Sequence, residues 1–457
     1  MMLTGGLAWL LNLPLLAVAV GALWYFAARG TAAGRWFGLA LVARLAGGVA
    51  LGAVYVSPWL GQPDDGGDTT TLSEQALSLT QWAAQDGAGY VRLLLTATNQ
   101  PGAPPNLFAT FSNSFFFVRG LSVLNFLTGG SYWLNGLWLS VAAFTGSWLL
   151  ARELARVVPA LGWGAWLGAL AWPSGLFWLS GVSKDALVLA ALGGFVAAAL
   201  RLIYRPVAAP ARPWWWLVAL GLSGWLFWKI KFFIAAVVFI GFGVLAVAEK
   251  LGPWLRRRWP RVQTWQLLVA ATVVLAPLSR VAHVAFRPEY LLIQIPRNQQ
   301  LLRSAEADRP ELRLPIEPSL TSFAANAPAA ALGVFTRPWL WEGVGVKWRV
   351  AGAENAALLL LAAWALGRWW RRGHPLEVPA LAVVVGGMVL TVAVMFGLTT
   401  PNLGTLHRYR AILLPFTVLL LAWLARGGRV VSSSPSGSRG QSSRSSDSPA
   451  DSAAAPA

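Results

Sequence analysis

Apolar runs long enough to cross a bilayer recur along almost the whole chain, separated by short turns rich in arginine. A helix needs roughly 20 apolar residues to span a hydrocarbon core about 30 Å thick. Runs of that kind occur at Leu7–Phe26, Trp36–Val56, Tyr132–Leu150, Leu161–Trp178, Ala186–Tyr204, Gln266–Leu278, Glu354–Gly367, Val378–Phe396 and Ala411–Leu424. Trp214–Ala248 is too long for one span and carries Lys229 and Lys231 in its middle, which predicts two helices turning at those lysines. Only 12% of residues are charged and 56% are hydrophobic, whereas about a quarter of a soluble domain is charged. The fold class is therefore all-α, a polytopic integral membrane protein of about eleven transmembrane helices occupying residues 1–427.

Charge orders these spans. Arg29 and Arg35, Arg152 and Arg156, Arg201 and Arg205, the cluster Lys250–Arg261, and Arg368–Arg372 all fall in turns on one side. Positively charged short loops stay in the cytoplasm, so the N-terminus is expected outside and the C-terminus inside a cytoplasmic membrane. The net charge of +18 is spent on this asymmetry, and no nucleic acid is implied. The 27 tryptophans suit interface belts near span ends. From 428 to 457 the chain is Ser/Pro/Ala-rich and expected to be disordered.

Two long intervals, 57–118 and 280–352, fall on the outer side. The first holds Pro63–Asp68, PDDGGD, ahead of an expected surface helix at Thr69–Ala84 and a second amphipathic one near Phe115–Leu127. Aspartates beside glycines serve as a general base, as a polar-ligand site or as a helix-capping turn. A chain without cysteine has no disulfide or thiol chemistry, and His283, His374 and His407 are too far apart for a local metal motif.

Trp172–Asp185, WPSGLFWLSGVSKD, breaks the apolar pattern with Pro173, two glycines and the charge pair Lys184 and Asp185. Ionisable groups at the mouth of a span are functional candidates. Lys184, Lys229, Lys231, Arg337, Arg408 and Arg410 are the outer cations nearest span ends, and His407 lies among them. A lipid phosphate needs such groups, with arginine giving a forked contact. The plainer reading pairs them with Asp185, Glu342 and Glu354, and Asp185 is read as such a partner. Arg44, in mid-span, is read as bonded to an aspartate or to neighbouring helix carbonyls. Asn125, Asn135 and Asn355 are read as interhelical hydrogen bonders.

Ser112–Trp138, Trp172–Leu187, Phe335–Gly343 with Ala353–Asn355, and Thr399–Phe416 together resemble a group of bacterial membrane proteins of the GT-C glycosyltransferase type. The resemblance implies a GT-C-like fold with surface helices in the first large outer loop. It also implies transfer of a sugar from a polyprenyl-phosphate donor to a glycan, lipid or protein acceptor of the cell envelope. An aspartate early in that loop would be the base: Asp68, with Asp64 and Asp65 as alternatives. A divalent cation is the one cofactor the resemblance leaves open. Here the loop follows the second span rather than the first. A polysaccharide polymerase or ligase using Arg297, Arg303, Arg309 and Arg313, and a transporter or scaffold, are the competing readings.

Overall fold

The computed structural model describes residues 5–31, 33–56, 68–205, 214–305, 310–372 and 378–426. Asp64, Asp65 and the tail from 428 lie outside them. The described chain begins with α1, Gly5–Leu23, prolonged by a π-helical turn at Trp24–Ala28, and α2, Phe37–Val56. Three shorter helices follow: α3, Asp68–Ala83, α4, Gly87–Thr96, and α5, Asn113–Thr128. Then come α6, Tyr132–Val157, the broken pair α7, Gly162–Trp166, and α8, Pro173–Trp178, and α9, Lys184–Ile203. Beyond it lie α10, Trp214–Ala246, α11, Gly252–Arg258, α12, Thr264–Leu275, α13, Leu278–Ala282, and α14, Pro288–Ala305. The last five are α15, Leu320–Thr336, α16, Val346–Arg372, α17, Ala380–Thr399, α18, Leu403–Arg410, and α19, Leu414–Ala425. Among the described residues, nine helical stretches are long and apolar enough to cross a membrane. The protein is an all-α, multi-pass membrane protein.

α6 and α9 form the centre. A Cβ on Gly193 would lie 2.1 Å from the carbonyl oxygen of Gly146, so the two backbones touch as small residues allow in membranes. At one end of this pair Glu153, fully buried, accepts from Arg152 at 3.1 Å and Arg156 at 2.5 Å and forms an ion pair with Arg201 at 3.2 Å. At the other end α6 starts at Tyr132 beside the last turns of α2, where Gly52 meets Tyr132 and Trp133. Gly193→Leu is expected to force the helices apart and cost about 1–3 kcal/mol. Gly387→Ala, at a helical position with open space, should be neutral. Thermal unfolding of the two variants in detergent checks the contrast.

The lysine turn takes the expected form. Lys231 has non-helical torsions, φ −142° and ψ 69°, inside α10. A Cβ on Gly224 would lie 3.5 Å from the Phe239 ring, although 15 residues of straight helix would separate them by about 22 Å. The two halves of α10 therefore fold back as a hairpin with Lys231 at its tip. Lys229 is exposed there and Lys231 buried.

Three expectations need correction. Leu161–Trp178 is not one continuous span: a π-helical turn at Leu167–Ala171 ends in extended backbone at Trp172, and α8 starts afresh at Pro173. Proline lacks the N–H that would continue the ladder and suits the first turn of a new helix. The interval 280–352 is not loop throughout: it holds α14 and also α15, which packs against α17 so closely that a Cβ on Gly397 would sit 2.4 Å from the Ala330 carbonyl oxygen. Its small, alanine-rich face permits that approach, while Asn326, Pro328 and a length of 17 residues hid it among the apolar runs. Finally, α16 starts at Val346, so Glu354 is about 12 Å inside a helix rather than at its mouth.

In the first large loop, α3 and α5 match the two expected surface helices closely. α4 was not anticipated; Asp86 caps it by accepting from the Gly89 amide at 2.8 Å. α3 and α5 are joined by buried hydrogen bonds: Asn125 donates to Thr80 Oγ1 at 3.1 Å, and Thr80 Oγ1 donates to the Ser122 carbonyl at 3.1 Å. Asn135 of α6 donates to Asn125 at 2.7 Å. Both asparagines thus make the interhelical contacts read from the sequence.

Candidate functional site

Breaking a helix inside a membrane protein frees backbone groups that lipid cannot satisfy. Arg44 of α2 answers that need. Its guanidinium, 1% exposed, donates to the carbonyls of Gly175 at 2.5 Å and Ala169 at 3.0 Å, and to Ser147 Oγ at 3.2 Å. Ala169 and Gly175 flank the break at Trp172. Of the two sequence readings for Arg44, bonding to helix carbonyls is the one observed.

The N-terminal side of α8 is held by Glu354. Its carboxylate accepts from the Ser174 amide at 2.8 Å, Ser174 Oγ at 2.5 Å and the Trp172 indole at 2.7 Å. A carboxylate suits the free amides and positive dipole end of a helix N-terminus. Farther along, the Gly181 amide donates to Ser140 Oγ at 2.9 Å. Ser183 caps α9 by accepting from the Ala186 amide at 3.1 Å. The whole of Trp172–Asp185 is thereby fixed by α2, α6, α16 and α18.

Next to that cap, Asp185 is 2% exposed and receives two cations. Lys231 Nζ lies 2.8 Å from Oδ1, and Arg408 Nε lies 2.7 Å from Oδ2. Lys231 Nζ also stands 4.1 Å from the centre of the Tyr409 ring, a cation–π contact. Lys184 points elsewhere, donating to Ser114 Oγ of α5 at 2.9 Å. The sequence-adjacent pair is not an ion pair; the partners of Asp185 come from the hairpin tip and from α18.

A second cluster adjoins it through α18. Arg410 is fully buried and donates to Asn355 Oδ1 at 2.5 Å and to the carbonyls of Val334 and Arg337, each at 3.3 Å. Asn355 in turn donates to the Thr336 carbonyl at 2.5 Å. These are the orphan carbonyls at the C-terminus of α15. His407 Nδ1 accepts from the Trp178 indole at 3.3 Å, so its Nε2 carries the proton. That nitrogen and Arg410 Nη2 approach Glu354 Oε1 only to 3.9 and 4.0 Å, and neither makes a hydrogen bond.

Of the expected binding residues, Lys231 and Arg408 meet at Asp185, and His407 and Arg410 meet at Glu354. Lys184 belongs to the same mouth. Arg337 contributes its carbonyl to Arg410 while its side chain pairs with Glu342; burial pulls its guanidinium below the usual arginine range. A polar hollow of about 310 Å³ opens beside it, lined by Pro310, Glu311, Arg313, Arg337 and Glu342. Lys229 is exposed and joins neither cluster. Asp68 is the first residue of α3, beyond the end of α2.

Ser174, Trp172 and Trp178 are site residues the sequence reading did not assign. Polar atoms directly after Pro173 were the available signal. Among the described residues no three His, Asp or Glu side chains gather as metal ligands. No protein-family model matches this chain, and neither a curated protein nor a solved structure resembles it.

Proposed function

We propose that this protein is a GT-C-like membrane glycosyltransferase of about eleven spans that moves a sugar from a polyprenyl-phosphate carrier to an envelope glycan, lipid or protein. The Asp185 face is the outer face of a cytoplasmic membrane, and the arginine-rich end around Glu153 is cytoplasmic, as the positive-inside rule requires. One observation carries the reading: Lys231 and Arg408, far apart in sequence, converge on one buried carboxylate beside a broken helix, with Lys184 at the same mouth. Asp185 marks the place where the donor phosphate binds. An incoming phosphate takes over Lys231 Nζ and Arg408 Nε, both of which favour phosphate oxygens.

Three described carboxylates, Glu354, Glu311 and Glu342, are already engaged. Glu354 already accepts three hydrogen bonds, from the Trp172 indole, the Ser174 amide and Ser174 Oγ. Glu311 is paired with Arg303 and Arg313, and Glu342 with Arg337. The acceptor's hydroxyl proton is assigned to the first loop, with Asp68 as base and Asp64 or Asp65 as the alternatives. Sugar transfer from a synthetic polyprenyl-phosphate donor, followed with purified protein in liposomes, tests this. Asp68→Asn is expected to lower the rate about 100-fold. Full activity in the triple Asp64→Asn, Asp65→Asn, Asp68→Asn variant would remove the base.

A further inference from the structure

On the flank of the bundle, α2, α6 and the π-helical turn at Leu167–Ala171 enclose a groove of about 610 Å³. Trp36, Leu39, Ala40, Ala43, Trp166 and Leu170 line it, and no charged or polar side chain does so. Ala40 and Ala43 make it deep, and Trp148 packs against Trp166 with the rings tilted by 57° and their centres 4.8 Å apart, which stiffens one wall. It runs from Ala33, ahead of the 3-10 turn Gly34–Trp36, to Ala43 of α2, about 15 Å for ten residues at helical rise. That is half the thickness of a bilayer core, the depth of one leaflet.

The shallow end is basic. Arg35 is exposed, with its guanidinium carbon 5.5 Å from the centre of the Trp36 ring that lines the groove. Arg29 is exposed as well, just past Ala27, whose carbonyl accepts from Arg152 at 3.2 Å. The first 56 residues contain no carboxylate, so this segment supplies no acid of its own to Arg29 or Arg35. The deep end meets Ala171 and Leu176 on either side of the Trp172 break, next to Ala43 and hence to Arg44.

We propose that this groove binds one acyl chain of an anionic glycerophospholipid from the leaflet opposite the Asp185 face, with the headgroup phosphate held by Arg29 and Arg35. The apolar lining selects a hydrocarbon chain, its length matches one leaflet, and the basic rim sets the headgroup charge. Donor binding on the other face is a separate event, and the test below reads no transfer.

The full-length protein would be exchanged into mixed micelles holding equal phosphatidylglycerol and phosphatidylcholine, and retained lipid measured by native mass spectrometry. One phosphatidylglycerol is expected per protein, preferred about tenfold, since each arginine near a surface favours anionic lipid measurably. The Arg29→Gln, Arg35→Gln double variant should lose the preference but keep a lipid. Ala40→Trp should lose the lipid, with helicity and monodispersity checked; Ala43→Leu, a smaller obstruction, should weaken retention if Ala40→Trp does not fold. Equal retention of both lipids by the wild type, unchanged retention in the obstructed variants, or preferential capture of added polyprenyl phosphate would overturn the assignment.

Discussion

Asp185→Ala is expected to be among the most destabilising single changes in the protein, by about 3–5 kcal/mol, because it leaves the buried ammonium of Lys231 without the carboxylate that faces it and takes one carboxylate from the partly exposed Arg408. The cost arises from the abandoned Lys231 ammonium rather than from the lost attraction, since desolvation offsets most of the gain in a buried pair. It follows that Asp185→Ala combined with Lys231→Met should recover part of the stability, with Arg408 remaining partly exposed at 15%. Thermal unfolding in detergent of the single and double variants checks both parts. A double variant less stable than the wild type by the sum of the Asp185→Ala and Lys231→Met losses would show that Lys231 and Asp185 are not coupled.

Arg44→Met should have an effect of similar size, about 3–5 kcal/mol, for a different reason. The methionine fills much of the space but returns the carbonyls of Ala169 and Gly175 to an apolar interior with no donor. Each unsatisfied buried acceptor costs about 1–3 kcal/mol. Arg44→Lys keeps the charge and loses the fork, so it should fall between the wild type and Arg44→Met. Proteolysis offers a local reading: cleavage near Trp172 should accelerate in Arg44→Met before the rest of the bundle opens, since the unsupported break is where the chain would loosen.

Much of the architecture was legible because bilayer physics imposes a length and a polarity on each run. Leu7–Phe26, Trp36–Val56 and Val378–Phe396 declare themselves by hydropathy, and the turn at Lys229 and Lys231 follows from the cost of burying two ammonium groups. Asp185 as an ion-pair partner was also legible, but its cations were not. Lys184 is adjacent in sequence and yet directed to Ser114, while the true partners lie 46 and 223 residues away. Such pairings depend on helix packing, which single-span hydropathy does not encode.

The break at Trp172 was half legible. Pro173 and the glycines signalled an irregularity, but that α8 starts anew and is held by Arg44 and Glu354 depends on two other helices. Glu354 was misplaced because a span was taken to start at a charge; in the protein the helix runs on past it, and the carboxylate is tolerated through three hydrogen bonds. α15 was missed because its small residues reduce hydropathy while serving close backbone contact with α17, which is a packing role rather than a lipid-facing one.

The account holds that Asp185 stands where the donor phosphate binds. The direct measurement is the thermal shift produced by a polyprenyl monophosphate on the purified wild type and on Asp185→Asn, a variant that keeps the shape and removes the competing charge. Asp185→Asn alone should be less stable than the wild type, and the lipid phosphate should stabilise it more than it stabilises the wild type, with binding about tenfold tighter, because a ligand that binds the folded state stabilises in proportion to its affinity. Equal or weaker binding by Asp185→Asn, or a shift matched by a polyprenyl alcohol lacking the phosphate, would contradict it.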